Sequence, residues 1–264
     1  MSDSTTREAS PLVFITGASS GIGQALAARY AAAGWRLALV ARRVAEVEQW
    51  AMTQGLPRER FAIYPADVQD VGSIVAAAQA CIASQGLPDV VIANAGISVG
   101  MDTTQRDDLA VMSETLATNV VGVAATFHAF VALMRARRSG SLVGIASVAA
   151  IRGLPGHGAY CASKSAVVAY CECLRGECRD ANVRVVTLLP GFIATPLTSR
   201  NPYKMPFLMP AAKFADRAFA AIASGTSYRV IPWQMGLVAK LLRALPNTWY
   251  DRAMAGRGRK PRRS

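Results

Sequence analysis

The sequence predicts a single doubly wound α/β domain with a mainly parallel, seven-stranded sheet. Three observations predict it. Short aliphatic runs alternate with longer helix-patterned segments, a glycine-rich turn joins the first run to the first helix, and 52% of the 264 residues are hydrophobic against 17% charged. A chain this long and this apolar buries a core large enough to fold without disulfide or metal.

The predicted strands are 12–15, 37–40, 61–64, 90–93, 142–145 and 185–189, with a seventh around 228–231. Each is short and apolar throughout, the pattern of a strand covered on both faces rather than one. Between them the helical segments are 22–33, 44–54, 73–84, 112–138, 160–180 and 211–224. Gly34 stands where a helix-ending glycine belongs. Repeated strand–helix alternation implies right-handed crossovers onto both faces of a parallel sheet.

Residues 11–232 thus form one domain, 1–10 a disordered tail, and 233–264 an amphipathic helical extension with a basic tail. The stretch 192–209 breaks the pattern with Pro196, Pro202 and Pro206, and a long aperiodic segment inside a compact domain is characteristic of a lid. Its Met, Phe, Leu and Pro content suits the wall of an apolar pocket.

Composition narrows the function classes. The odd set Cys81, Cys161, Cys171, Cys173 and Cys178 contains no C-x-x-C pair, and the polar start MSDSTTREAS does not resemble a signal peptide. Free thiols in a reducing cytoplasm are expected. No uninterrupted apolar run approaches the roughly 18 residues of a membrane span. Of the net charge of +12, five positive charges sit in residues 251–264, where six bases oppose Asp251. The remainder suits anionic substrates or a phosphorylated cofactor.

Chemistry enters with Thr16-Gly17-Ala18-Ser19-Ser20-Gly21-Ile22-Gly23, which follows the first strand and opens the first helix. Glycines there permit a tight turn, close backbone approach to a pyrophosphate, and tight helix–strand packing, while the helix N-terminus holds the phosphates. This is the phosphate-binding turn of a Rossmann-type domain. Its G-x-x-x-G-x-G spacing resembles that of the short-chain dehydrogenase/reductase family, and the resemblance extends from Pro11 to about Thr195.

After the second strand the chain reads Ala41-Arg42-Arg43 with no carboxylate. An acid at this place binds a ribose 2′-hydroxyl, whereas a guanidinium suits a 2′-phosphate. NADP(H) is therefore the expected cofactor, with Arg42 as the leading contact, Arg43 beside it and Ser20 a helper. The resemblance further implies that Asp67-Val68 flank the adenine and that Asn94-Ala95-Gly96 stabilise the sheet beside the cofactor. Ala93 stands where the family often has another asparagine. Pro190-Gly191, Ile193 and Thr195 are implied at the nicotinamide, and Gly17, Ser19, Gly21, Ile22 and Gly23 at the phosphates.

The catalytic set implied by the resemblance is Asn119, Ser147, Tyr160 and Lys164. Tyr160 and Lys164 lie four apart, on one helical face. A tyrosine titrates near 10 and is a poor base at neutral pH, but a neighbouring ammonium favours its phenolate. Tyr160 is expected to exchange the proton with the substrate oxygen and Ser147 to hydrogen-bond that oxygen. Lys164 is expected also to hold the nicotinamide ribose, and Asn119 a water leading to Lys164. Ser147 and Tyr160 are thus the substrate contacts. No metal site is expected, since neither His128, read as a packing or subunit-contact residue, nor His157, a loop residue beside Tyr160, has ligand spacing around it.

The function expected is hydride transfer between NADP(H) and a hydrophobic alcohol or carbonyl compound. Alternatives are a 3-oxoacyl-carrier-protein reductase and a non-catalytic NADP(H) sensor. Family members often end in a glycine-rich tetramer-forming segment, which is missing here. Instead Leu237, Val238, Leu241, Leu242 and Leu245 make a stripe with Lys240 and Arg243 opposite and Trp249 and Tyr250 following. That stripe suits packing on its own domain or a partner subunit, or peripheral contact with a membrane. Nucleic acid is not an expected partner; a homo-oligomer is.

Overall fold

The computed structural model describes residues 10–199 and 201–263. The expected disordered tail, Ser10 apart, lies outside the described residues. In chain order the elements begin with β1 (Leu12–Thr16), α1 (Gly21–Ala32), β2 (Arg36–Ala41), α2 (Val44–Thr53) and β3 (Phe61–Pro65). α3 (Val71–Gln85), β4 (Val90–Ala93), α4 (Asp108–Leu116), α5 (Gly122–Arg137), β5 (Ser141–Ile145) and α6 (Gly158–Cys178) follow. The remainder is β6 (Arg184–Pro190), β7 (Ile193–Ala194), β8 (Met209–Pro210), α7 (Ala211–Ala223), β9 (Tyr228–Ile231), α8 (Trp233–Ala244) and α9 (Asn247–Met254).

Seven strands pair in the order β3-β2-β1-β4-β5-β6-β9, every pair parallel. Strand order reverses between β1 and β4, so the helices leaving those strands cover opposite faces and leave a crevice at the strands' C-terminal ends. Side-chain alternation divides each strand between two cores. Leu12 and Phe14 of β1 join the layer with α3, α5 and α6, while Val13 and Ile15 join the layer with α1, α2 and α7. Full burial of both sets is what makes the strands read as continuous apolar runs.

Local signals set the helix ends. Asp70 caps α3 by accepting hydrogen bonds from the backbone N–H groups of Gly72 (2.9 Å) and Ser73 (3.2 Å). Gly34, at φ +86°, turns the chain from α1 into β2.

The expected helix over 112–138 begins earlier, at Asp108, because α4 and α5 run on through a π turn at Ala117–Val121. The resulting helix, Asp108–Arg137, carries an 18-residue window of mean hydropathy 1.7, long and apolar enough to cross a membrane by length and composition. This corrects the expectation from uninterrupted runs: Thr118, Asn119, Thr126 and His128 break the run without lowering its average much. Phe127, Phe130 and Met134 are its core-facing residues, and His128 is exposed.

The lid is a loop whose two ends are joined by the short β7–β8 pair, Ile193 opposite Met209. The extension from 233 differs from expectation in what it buries. Met235, Gly236 and Ala239 face inward, while Trp233, Leu237 and Leu241 are 65%, 54% and 61% exposed. Only part of the leucine stripe is therefore packed. α8 is anchored by its C-terminus instead: the Arg152 guanidinium donates to the carbonyls of Leu242 (2.7 Å), Arg243 (3.0 Å) and Leu245 (2.8 Å) and lies over the Tyr250 ring. A cation bonded to the last carbonyls of a helix stabilises the negative end of its dipole.

The basic tail is not a free charged segment either. Arg259, Arg262 and Arg263 pair with Asp102 (3.8 Å), Asp108 (2.6 Å) and Glu114 (2.7 Å).

The Phe14–Phe130 pair joins β1 to the long helix edge-to-face, with centroids 4.7 Å apart. Phe130→Ala should lower unfolding free energy by about 3–5 kcal/mol through lost burial and the cavity it leaves. Chemical denaturation measures this; a loss under about 1 kcal/mol would mean the site collapses freely and the packing account is wrong.

Candidate active site

A cleft of about 440 Å³ opens at the C-terminal ends of the strands. Its floor is the turn after β1. Gly17 adopts φ +70°, a left-handed conformation that glycine reaches without steric cost. A Cβ on Gly23 would overlap the Gly17 carbonyl oxygen and stand 2.6 Å from Asn94 Nδ2. Gly23 therefore does not line the cleft; it lets α1 approach the turn. Asn94 closes the arrangement, its Nδ2 donating to the carbonyls of Thr16 (2.9 Å) and Gly17 (3.3 Å). The Thr16 hydroxyl accepts from the backbone N–H groups of Asn94 (3.0 Å) and Ala95 (3.1 Å).

At one end of the cleft stand Ser19, Ser20, Arg42, Arg43, Asp67 and Val68. The two arginines divide their contacts. Arg42 reaches the Asp67 carboxylate at 3.4 Å, whereas Arg43 donates to Ser19 Oγ at 3.0 Å and pairs with Glu46 at 3.1 Å. Arg43, rather than Arg42, is thus the guanidinium bonded to the glycine turn. Ser20 precedes α1 and makes no side-chain capping bond.

At the other end Ser147, Tyr160, Lys164, Pro190, Gly191, Ile193 and Thr195 line the same cleft, with Gly21, Ile22, Asn94, Ala95 and Gly96 between the ends. Ser147 ends the segment after β5, and its Oγ accepts from the Ala149 N–H at 3.1 Å. Lys164 is buried, and its Nζ donates to the Ile145 carbonyl at 2.8 Å, 5.9 Å from the Tyr160 ring centre. Gly191 donates its N–H to the Ile231 carbonyl at 2.8 Å, fixing the segment after β6 to β9.

Desolvation pushes both ionisable groups toward neutrality. Burial raises the Tyr160 phenol to about 12, against which the Ser147 hydroxyl contact acts downward. Burial lowers the Lys164 ammonium to about 8. The expected lowering of Tyr160 by Lys164 is not among the interactions that set its value. The ammonium is turned to the Ile145 carbonyl, and water exclusion dominates.

Asn119 sits in the π turn and does not line the cleft. Its Oδ1 accepts from the Ile97 N–H (2.8 Å), and its Nδ2 donates to the Ile97 carbonyl (2.9 Å) and to Ser163 Oγ (2.9 Å). Ser163 in turn donates to the Tyr160 carbonyl at 2.8 Å. These bonds tie Asn119 to the 97 loop and to the first turns of α6. π turns recur at functional sites because the extra residue re-aims backbone groups.

Residues that sequence reasoning missed include Ile97, Thr118, Ala146 and Leu197, all lining the cleft. Only adjacency to Asn119 and Ser147, or membership of the lid for Leu197, could have signalled them. His157 is buried and bonded through Nε2 to the Tyr203 hydroxyl at 3.0 Å; burial lowers its pKa, with Lys260 and Arg257 nearby adding to the effect. Among the described residues no group of three His, Cys, Asp or Glu side chains could hold a metal ion.

Comparison with known proteins gives a consistent result. The short chain dehydrogenase family model matches residues 11–205. An uncharacterized oxidoreductase of Myxococcus xanthus is 35% identical over 242 residues, 90% of this chain and 94% of that protein. A Burkholderia phymatum short chain dehydrogenase/reductase crystallised with NAD superposes with TM-score 0.79 at 25% identity, covering 88% of this chain and 92% of that one. A Thermococcus sibiricus alcohol dehydrogenase complexed with 5-hydroxy-NADP gives TM-score 0.74 at 25% identity over 84% and 96% of the two chains.

Because a Cβ on Gly23 has nowhere to go, Gly23→Ala should abolish measurable NAD(P)H binding in calorimetry, while Gly176→Ala, with open space around it and no left-handed backbone, should leave it intact. Retained binding in Gly23→Ala would refute the close-approach account.

Proposed function

The chain belongs to the short-chain dehydrogenase/reductase family and is an NAD(P)-dependent oxidoreductase; from that premise we propose that it uses NADP(H) and acts on a hydrophobic alcohol or carbonyl compound. One observation carries the catalytic reading. Tyr160, Lys164 and Ser147 line the same cleft as the glycine turn, so a substrate oxygen beside Tyr160 adjoins a dinucleotide bound across the turn.

The residues fit that cofactor. Gly17, Gly21 and the N-terminus of α1 suit its phosphates, Arg42 and Arg43 a 2′-phosphate, Lys164 the nicotinamide ribose, and Ile193 and Thr195 the carboxamide side. NADP(H), when bound, supplies or takes up the hydride. In reduction the Tyr160 hydroxyl gives its proton to the carbonyl oxygen; in oxidation the phenolate removes it. Ser147 hydrogen-bonds the same oxygen and holds the reacting carbon in place. Lys164, its ammonium lowered by burial to about 8 and turned to the Ile145 carbonyl, would hold the nicotinamide ribose. Ile193, Pro196 and Leu197, the apolar residues that the lid contributes to the cleft, favour a hydrophobic substrate body.

The NADP(H) preference rests on two guanidinium groups at the rim and the lack of a carboxylate directly after β2. Loss of a charge-assisted contact of about 1.5–3 kcal/mol predicts that Arg42→Ala and Arg43→Ala each weaken NADPH binding roughly tenfold or more and leave NADH binding unchanged. Calorimetry reads this; equal weakening for both cofactors would defeat the assignment.

Tyr160→Phe should cut turnover by about 10²–10⁴-fold with NADPH affinity retained. Unaltered activity would point to a binding protein rather than an acid/base enzyme. With the phenol raised to about 12, oxidation, which needs phenolate, should speed up as pH rises, and reduction, which needs the phenol, should slow only at the alkaline extreme. In Ser147→Ala the alkaline limb should move further up, because a contact that lowers the phenol's pKa is gone. An unmoved limb with residual activity would place the phenol's control elsewhere.

A further inference from the structure

The segment 255–263 lines no part of the cleft itself but touches four segments around its substrate end. On one side it meets the loop after β4. The Gly100 N–H donates to the Pro261 carbonyl at 3.1 Å, and Gly100 and Arg262 form a parallel bridge. A Cβ at Gly100 would overlap the Lys260 carbonyl oxygen and lie 2.7 Å from that of Pro261. Beside this, Arg262 grips Asp108 at the start of the long helix through Nε (2.6 Å) and Nη2 (3.1 Å). Asp108 is only 3% exposed, and its Oδ2 also accepts the Asp102 N–H at 2.7 Å.

On the other side the same segment meets the lid and the loop before α6. Lys260 Nζ donates to the Leu197 carbonyl at 3.2 Å, and Arg257 lies over the Tyr203 ring at 5.3 Å. Gly258 is in reach of Pro202 and Tyr203, and Gly156 of the Arg259 side chain. Tyr203 bonds His157, three residues before Tyr160, and Leu197 lines the cleft itself. The segment therefore ties the lid to the loop after β4 from outside the cleft.

We propose that residues 255–263 are a clasp that holds the lid and the loop after β4 in place at the substrate end of the cleft and thereby determines which substrates fit, with Arg262 and Asp108 as the positioning pair that fastens it. The inference rests on the oxidoreductase reading for its substrates but not for its geometry. A bidentate guanidinium on a nearly buried carboxylate is the strongest attachment available to such a segment, and removing one partner strands the other. Once released, the clasp frees the Leu197–Tyr203 stretch and widens the pocket. Neither Arg262 nor Asp108 lines the cofactor cleft, so cofactor affinity stays as it was.

The experiment uses the full chain as Arg262→Ala, Asp108→Asn and the conservative Arg262→Lys. NADPH affinity is measured by calorimetry, NADPH oxidation on straight-chain aldehydes from butanal to dodecanal, and hydrogen exchange at the Gly100 amide and at residues 197–203. Arg262→Ala and Asp108→Asn should keep NADPH affinity, raise KM roughly tenfold with little change in kcat, and flatten the dependence on chain length. Exchange at Gly100 and 197–203 should speed up, and Arg262→Lys should restore part of each effect. Faster exchange with an unchanged KM and chain-length profile would overturn the clasp's role in specificity. Unchanged exchange would overturn the clasp itself. If the unsubstituted protein turns over no aldehyde, the substrate reading fails separately, and exchange alone decides: acceleration upholds the clasp as the tether of the lid and the loop after β4, and its absence overturns it. Lost NADPH binding in both Arg262→Ala and Asp108→Asn would show that the pair supports the whole domain and would also overturn the proposal.

Discussion

The close approach of α1 to the ends of β1 and β4 is the constraint on which the rest depends. Gly17 supplies the turn, Gly23 the absence of a side chain, and Asn94 the hydrogen bonds that join the two strand ends through Thr16. With β1 and β4 thus fixed at the point where strand order reverses, their following helices diverge onto opposite faces. The crevice between them is a consequence of topology, and the residues at the ends of β2, β5 and β6 inherit their places around it.

Burial gives this cleft its chemistry as much as charge does. Lys164 lies almost fully enclosed and donates to a backbone carbonyl, so its ammonium is held to about 8; Tyr160, crowded by protein, stands near 12. Each is displaced toward its neutral form by the same loss of water. A group that binds beside them and carries charge therefore acts in a medium that screens poorly, where fixed partners have more effect than at the surface. Ser147 is the one polar side chain acting to lower the phenol's pKa, which gives it a part in the acid/base behaviour as well as in orienting a substrate oxygen.

At the C-terminal end the structure redistributes what composition suggested. Composition concentrates positive charge in the last residues as a basic tail, and three of those arginines meet acids of the same chain. The outward face of α8, with Trp233, Leu237 and Leu241, is apolar where the leucine pattern alone left the buried side undecided. Arg152, unremarkable in sequence, holds this extension by its carbonyls.

Ser147 and Asn119 were implied only by the family resemblance; the order of strands and helices, the parallel sheet, the glycine turn and the shared helical face of Tyr160 and Lys164 were determined by the sequence itself. Those features depend on local periodicity and short spacings, and short-range sterics fix their meaning. Only the tertiary structure decided that Arg43 rather than Arg42 bonds the glycine turn, that Asn119 bonds Ile97 and Ser163, and that Arg262 closes on Asp108. Each of these joins residues tens to more than a hundred positions apart, or, for the two arginines, turns on a difference in side-chain direction that spacing does not encode. Such pairings are chosen by which groups the packed sheet brings within hydrogen-bond distance, and no local pattern carries that information.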